Sequence, residues 1–191
     1  MDRIHIAGGK PLHGSIRIQG SKNAALPMMA AALLYPGISI LRNCPKIADV
    51  FCMKEILITL GAKIWWEEHD LYLDCTEIEK NAIPGKYTEK MRSSVILLGP
   101  LLGRTGKASM GYPGGCVIGK RPIDLHLYAL RKFGAHIDEG QKYLEASCRK
   151  LLGTEVFFAG CSVGATEQAI LTAVLAEGQT RIYNCAREPE V

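Results

Sequence analysis

The sequence has no apolar run long enough to span a bilayer. The longest, Ala24 to Tyr35, is too short and contains Pro27. The opening MDRIHIAGGK lacks the apolar core of a signal peptide. Aromatic residues make up only 7%, charged residues 22%, and no charge run is long. The net charge of +4 suits an anionic small molecule, but no basic stripe is interleaved with aromatics, so nothing points to nucleic acid. These absences describe a soluble, cytoplasmic chain with neither a membrane nor a nucleic-acid partner. The seven cysteines (44, 52, 75, 116, 148, 161 and 185) include no CxxC pair, and their number is odd. That argues against a disulfide framework and against a zinc site. It leaves reduced thiols, most of them small core hydrophobes. No metal or cofactor is expected.

What the chain does have is a repeat. SKNAALPMMAAALLYPGISILRNCPKIADV, from Ser21, aligns without a gap on SVGATEQAILTAVLAEGQTRIYNCAREPEV, from Ser162, at a constant offset of 141 residues. Ala24 meets Ala165, Gly37 meets Gly178, and Asn43-Cys44 meets Asn184-Cys185. A looser middle copy begins near residue 91 with MRSSVILLGPLLGRTGKASM, and LRKFGAHI in it parallels LITLGAKI in the first. Each unit reads as an apolar helix opening at a capping-type residue, Ser21 or Ser162, and ending at glycine, Gly37 or Gly178. A strand follows (ISILRN, KASMGY or TRIYN). A second helix comes next, Ile47 to Leu60 or Pro122 to Phe133, ended by Gly61 or Gly134. A hairpin closes the unit, AKIWWEE–DLYLDC or AHIDEG–KYLEASC. The order is βαβαββ-like. The third copy reaches Val191 where its second helix would start, so the expectation is a piece of a longer protein with an incomplete third unit. RIHIAGGKPLHGSIRIQG, ahead of the first unit, reads as two short strands that match no repeat element and whose sheet partners lie elsewhere.

Equivalent helix starts offer free N–H groups and the positive end of a dipole, which attract anions. Two such starts are Ser21-Lys22-Asn23 and Ser162-Val163-Gly164. A third is placed at Arg121-Pro122-Ile123, where proline suits the first helical turn. Lys22, Arg92, Lys120 and Arg121 strengthen an anion-binding face for phosphate, diphosphate or carboxylate. The loop PGGCVIGKRP carries Cys116 between glycines and beside two cations, an environment that favours thiolate. Such a thiol can serve as nucleophile or proton donor, and the sequence leaves both roles open. His126 is ten residues on, but nothing in the sequence places its ring near that thiol. Gly114 to Lys120 imitates a P-loop only superficially. Arg121-Pro122 stands where Ser or Thr is needed, and Pro122 removes a cradle N–H.

SKNAALP at Ser21, PGGCVIGKRPIDLH at Pro113, SVGAT at Ser162 and NCAREPE at Asn184 closely resemble the UDP-N-acetylglucosamine 1-carboxyvinyltransferase family, from Arg3 to Val191. The sister family acting on shikimate 3-phosphate lacks the cysteine loop and normally reads SKS rather than SKN. The resemblance implies an α/β fold, an inside-out α/β barrel domain built from βαβαββ units. Residues 1–20 are then expected to belong to a second domain, absent here. Residues 21–191 form the cysteine-bearing domain, with repeats starting near 21, 91 and 162. It implies transfer of the enolpyruvyl group from phosphoenolpyruvate to the 3-hydroxyl of UDP-N-acetylglucosamine with release of phosphate, the first committed step of peptidoglycan precursor synthesis. It makes Cys116 the catalytic cysteine, linked to proton donation and product release and alkylated by fosfomycin. Lys22 is expected to contact phosphoenolpyruvate and Asn23 the nucleotide sugar. Arg92 and Arg121 hold substrate anions, Pro122, Asp124 and Leu125 line the uridine side, and Ser162, Val163 and Gly164 lie near the diphosphate. Some members carry a lysine where this chain has Gly160, so one phosphate contact is missing or supplied otherwise. The second domain supplies the base and further arginines in that family, so these residues alone are expected to be catalytically incompetent, or nearly so. The alternative function is a non-catalytic nucleotide-sugar-binding paralogue.

Overall fold

The computed structural model describes residues 3–114 and 122–191. The repeat is physical. Helix α1 spans Lys22–Ala32 and helix α6 spans Val163–Ala173, the same offset of 141 residues seen in the sequence. The strands that follow, β1 (Ile38–Leu41) and β9 (Arg181–Tyr183), run into Asn43 and Asn184, whose φ angles are 52° and 56°. Asparagine is among the few side-chain-bearing residues that enter the left-handed region readily, so both copies turn with the same residue.

The middle unit has the full βαβαββ order. Strand β4 (Ala82–Ile83) lies parallel to β5 (Lys107–Gly111). Between them run the short helix α3 (Gly85–Thr88), a 3-10 segment (Arg92–Leu97) and helix α4 (Leu98–Thr105). Helix α5 (Asp124–Lys132) then leads to the hairpin β6 (His136–Glu139) and β7 (Tyr143–Ser147), and the sheet order is β4-β5-β7-β6. In the first unit helix α2 (Ala48–Leu60) leads to the hairpin β2 (Lys63–Glu67) and β3 (Asp70–Asp74), with order β1-β3-β2. In the third, β8 (Glu155–Phe157) pairs parallel with β9.

Strand alternation decides which face meets the core. Leu71 and Leu73 of β3 are fully buried, while Trp65 and Tyr72 stack on the opposite face with ring centroids 5.2 Å apart. Met29, Leu33, Ile56, Leu60, Leu97, Leu101 and Phe133 fill the interior between helices and sheets. Each such side chain contributes about 1.5–3 kcal/mol by leaving water.

Helices α4 and α6 touch almost backbone to backbone. A Cβ at Gly99 would fall 2.2 Å from Thr172 Oγ1 and 2.5 Å from the Gln168 amide, so only glycine fits. Gln168 is fully buried. With its amide turned so that both atoms are satisfied, it donates to the Val95 carbonyl (2.8 Å) and accepts from the Gly99 N–H (2.9 Å). Arg104, in the last turn of α4, donates to the carbonyls of Leu33 (2.7 Å) and Cys75 (3.1 Å), tying the first unit to the second. The Leu33 carbonyl is at the negative end of α1, so the cation adds charge complementarity to the bond.

Several sequence expectations need correcting. Helices α1 and α6 stop at Ala32 and Ala173, five residues short of Gly37 and Gly178. In the first copy Pro36 cannot continue a helix, and it biases Tyr35 away from the helical region. The middle helix opens as a 3-10 segment, and Pro100 leaves the Ile96 carbonyl without its helical donor. Pro122 stands outside helix α5, whose first residue is Asp124 with Ile123 as cap. The two strands expected before residue 20 are not formed among the described residues. Ile4, Ile6, Leu12, Ile16 and Ile18 are 76–96% exposed there.

Candidate functional site

Of the three expected helix starts, one is capped as its sequence suggests. Ser162 precedes α6 with extended dihedrals, and its hydroxyl accepts from the Ala165 N–H at 3.4 Å. Val163 and Gly164 open the helix, and their N–H groups have no carbonyl one turn back to bond. Ser21 precedes α1 in the same extended conformation, but its hydroxyl makes no cap bond. Lys22 instead reaches across to α2 and pairs with Asp49 at 2.8 Å. Both side chains are about half exposed, so this pair is worth no more than about 1 kcal/mol and yields readily to an arriving anion. Asn23 is exposed in the same first turn, and Pro27 removes the N–H that would bond its carbonyl.

Around α5 the structure joins residues far apart in sequence. Arg92, the first residue of the 3-10 segment, donates to the Pro122 carbonyl at 2.7 Å. Pro122 and Asp124 are exposed and Leu125 is partly buried. His126, in the first turn of α5, is only 4% exposed. Its ring lies against the first turn of α6: a Cβ on Gly164 would be 2.9 Å from His126 Cε1 and 3.2 Å from Nε2. The ring's Nδ1 has no hydrogen-bond partner in the described structure. Burial first, then the nearby Arg92 charge, pushes the imidazole pKa down to about 4 against a smaller opposing pull from Asp124. The imidazole is therefore neutral at physiological pH. It supports the start of α6 without adding a charge.

The expected site residues thus fall into two groups. Gly164 packs on the His126 ring, the Arg92 and Asp124 charges act on it, and Arg92 bonds Pro122, with Ser162, Val163 and Leu125 adjacent in the chain. Lys22 and Asn23 stand on α1, tied to Asp49. Cys116, Lys120 and Arg121 lie outside the described residues. His126 is the residue whose structural place the sequence did not reveal. Its only signal was position, in the first turn of the helix that follows the cysteine loop. A cavity of about 430 Å³ lined by Lys107, Ser109, His136, Asp138 and Glu145 lies on the second sheet and shares no residue with either group. Among the described residues there is no cluster of three metal-ligating side chains, and no helix is long and apolar enough to cross a membrane.

The sequence and the fold are matched by known proteins. A family model described as EPSP synthase (3-phosphoshikimate 1-carboxyvinyltransferase) matches residues 6–191. The chain belongs to this enolpyruvyl transferase family. It is 46% identical over 191 residues to UDP-N-acetylglucosamine 1-carboxyvinyltransferase 2 of Carboxydothermus hydrogenoformans, covering 100% of this chain and 46% of that protein. It is 48% identical over 196 residues to UDP-N-acetylglucosamine 1-carboxyvinyltransferase 1 of Symbiobacterium thermophilum, covering 100% of this chain and 44% of that one. The chain is thus a homologue of these transferases and spans about half the length of the curated relatives it matches. Among solved structures, the enolpyruvyl transferase NikO from Streptomyces tendae superposes with a TM-score of 0.82 at 21% identity, over 96% of this chain and 44% of that one. The EPSP synthase of Acinetobacter baumannii superposes with a TM-score of 0.75 at 16% identity, over 93% of this chain and 42% of that one. The shared fold is the mixed α/β enolpyruvyl transferase fold, of which this chain covers about half.

Proposed function

We propose that the chain carries the nucleotide-sugar side, and the cysteine loop, of a site that transfers enolpyruvyl from phosphoenolpyruvate to the 3-hydroxyl of UDP-N-acetylglucosamine, releasing phosphate. Such a reaction commits material to peptidoglycan precursors. The observation that carries the proposal is the packing of the α6 start on the buried His126, beside the Arg92 and Asp124 charges and the Arg92–Pro122 bond, in a chain nearly half identical to transferases of that name.

In this reading the diphosphate lies at Ser162, Val163 and Gly164, where two N–H groups and the helix dipole meet it. Pro122, Asp124 and Leu125 flank the uridine. Lys22 leaves Asp49 for the phosphoenolpyruvate anion, Asn23 contacts the sugar, and Arg92 and Arg121 clamp the anions. C3 of the enol is protonated as the sugar oxygen adds to C2, and the tetrahedral adduct then loses phosphate and a proton. Cys116 serves proton donation and product release.

Residues 21–191 are then the cysteine-bearing domain of an inside-out barrel with an incomplete third unit, and residues 1–20 belong to a second domain. The bare, alternating isoleucines Ile4, Ile6, Ile16 and Ile18 support that assignment, since they would otherwise pair in a sheet. A site shared between two domains relies on both for positioning and for excluding water. Phosphate release by the chain, given both substrates and with Cys116→Ala as control, tests this. We expect no turnover above the control. Release that needs both substrates and Cys116 would overturn the half-site reading.

Gly160 is exposed, and no atom lies within 4 Å of where its Cβ would sit. Gly160→Lys therefore fits without strain and supplies the cation that some family members place there. We expect roughly fivefold tighter UDP-N-acetylglucosamine binding by calorimetry, about 1 kcal/mol, with an unchanged melting temperature. Unchanged affinity would remove the diphosphate from this end of α6.

A further inference from the structure

Two cysteines outside the cysteine loop are brought together at the start of α6. Cys161 is exposed and immediately precedes the cap Ser162, and Cys185 is half-buried and immediately precedes Ala186. One hydroxyl links the two segments. Thr166 Oγ1 donates to the Ser162 carbonyl at 2.8 Å and accepts from the Ala186 N–H at 3.0 Å. The parallel pairing of β8 and β9 continues past its last register pair through Phe158, whose N–H donates to the Tyr183 carbonyl at 3.2 Å. The Asn184 amide then donates to the Phe158 carbonyl at 3.1 Å. The chain is thus held in register on both sides of the pair. Cys161 and Cys185 line one open depression together with Arg187 and Glu188.

We propose that Cys161 and Cys185 form a redox-sensitive dithiol that closes to a disulfide and restrains the first turn of α6. The oxidant is a hydroperoxide. One thiolate attacks the peroxide oxygen, the O–O bond breaks, and a sulfenic acid forms with release of one water or alcohol. The second thiolate attacks that sulfur and expels hydroxide, which takes up a proton to leave as water. Two thiols are oxidised and one peroxide is reduced. A disulfide requires Cα atoms about 4.4–6.8 Å apart, and closing one here draws together two segments already tied through Thr166 and lining one depression. The other described cysteines are poorly suited. Burial pushes the Cys44 and Cys75 thiols up to about 11 and also raises those of Cys52 and Cys148.

The consequence for ligand binding rests on the reading of Ser162–Gly164 as the diphosphate site, but disulfide formation does not. The 191-residue chain in a Cys116→Ala background is treated with hydrogen peroxide, alkylated, digested with trypsin without reduction and analysed by mass spectrometry. We expect peptide 151–181 linked to peptide 182–187, split by dithiothreitol and absent in Cys161→Ser and in Cys185→Ser. Oxidised Cys161 alongside a fully alkylated Cys185 overturns the dithiol. The same samples are titrated with UDP-N-acetylglucosamine, and we expect at least tenfold weaker binding when the bond is closed, restored on reduction. A closed bond with unchanged affinity overturns the restraint on α6 while leaving the thiol pair standing.

Discussion

Gly99→Ala is expected to lower the melting temperature by roughly 6–12 °C. The added methyl group would sit 2.2 Å from Thr172 Oγ1 and 2.5 Å from the Gln168 amide, inside van der Waals contact. Neither neighbour can move cheaply. Thr172 donates to the Gln168 carbonyl at 2.6 Å, and Gln168 bridges the Val95 carbonyl and the Gly99 N–H. All three groups are buried, so separating α4 from α6 strands polar atoms as well as opening a gap. Overpacking of this kind costs about 3 kcal/mol, and each kcal/mol moves the midpoint of a chain this size by about 2–4 °C. Gly164 and the Gly99 neighbours Gln168 and Thr172 share helix α6, whose start packs on His126. The variant should therefore also weaken nucleotide-sugar binding. Thermal unfolding followed by circular dichroism gives the first number. A midpoint within 2 °C of the parent would mean that the helices separate freely and that the glycine is not required.

One buried and one half-buried ionisable group give the chain opposed pH dependences. His126 has its pKa pushed from 6.5 down to about 4, chiefly by burial. The unfolded chain then binds the extra proton, so this contribution is full above pH 6.5 and is lost as pH falls through about 4. Its size is roughly 3 kcal/mol. Glu167, on α6, has its carboxyl raised from 4.5 to about 7 by burial and then by Glu190 and Glu188. Its contribution runs the other way: full below pH 4.5 and lost as pH rises through 7. Between about pH 4.5 and 6.5 the two slopes oppose, and the wild-type chain should show a flat stability profile. Glu167→Gln removes one slope, and stability by urea titration should then climb by roughly 3 kcal/mol from pH 4 to pH 7. His126→Asn removes the other, and stability should decline from pH 4.5 to pH 7.5. Identical profiles for the two variants would show that folding shifts neither pKa and would contradict both assignments.

Much of this was legible because the repeat is ungapped. Residues 21–50 and 162–191 align position by position, so the coincidence of α1 with α6, and of Asn43 with Asn184, could be read before any coordinates. The hairpins were legible for a different reason, since alternation in KIWWE and DLYLD allows only one face to be buried. What failed was local. Gly61 caps α2 as expected, but Gly37 and Gly178 mark the end of a turn region rather than of the helix, and those helices end earlier, in the first copy ahead of Pro36. The 3-10 opening at Arg92 depends on Ser94, whose hydroxyl bonds the Met91 carbonyl at 2.7 Å, and local competition of that kind leaves no periodic signature. Within the site, motif residues were readable but their supports were not. The partner of Lys22, the carbonyl taken by Arg92 and the ring beneath Gly164 are tertiary facts. His126 looked like any histidine on an amphipathic helix.

The most direct test is a titration of the chain with UDP-N-acetylglucosamine and, separately, with shikimate 3-phosphate, followed by nuclear magnetic resonance. The amides of Val163 and Gly164 and the ring of His126 are the reporters. The account predicts that all three respond saturably to UDP-N-acetylglucosamine and that shikimate 3-phosphate leaves them unmoved. Saturable shifts with shikimate 3-phosphate, and none with the nucleotide sugar, would contradict it.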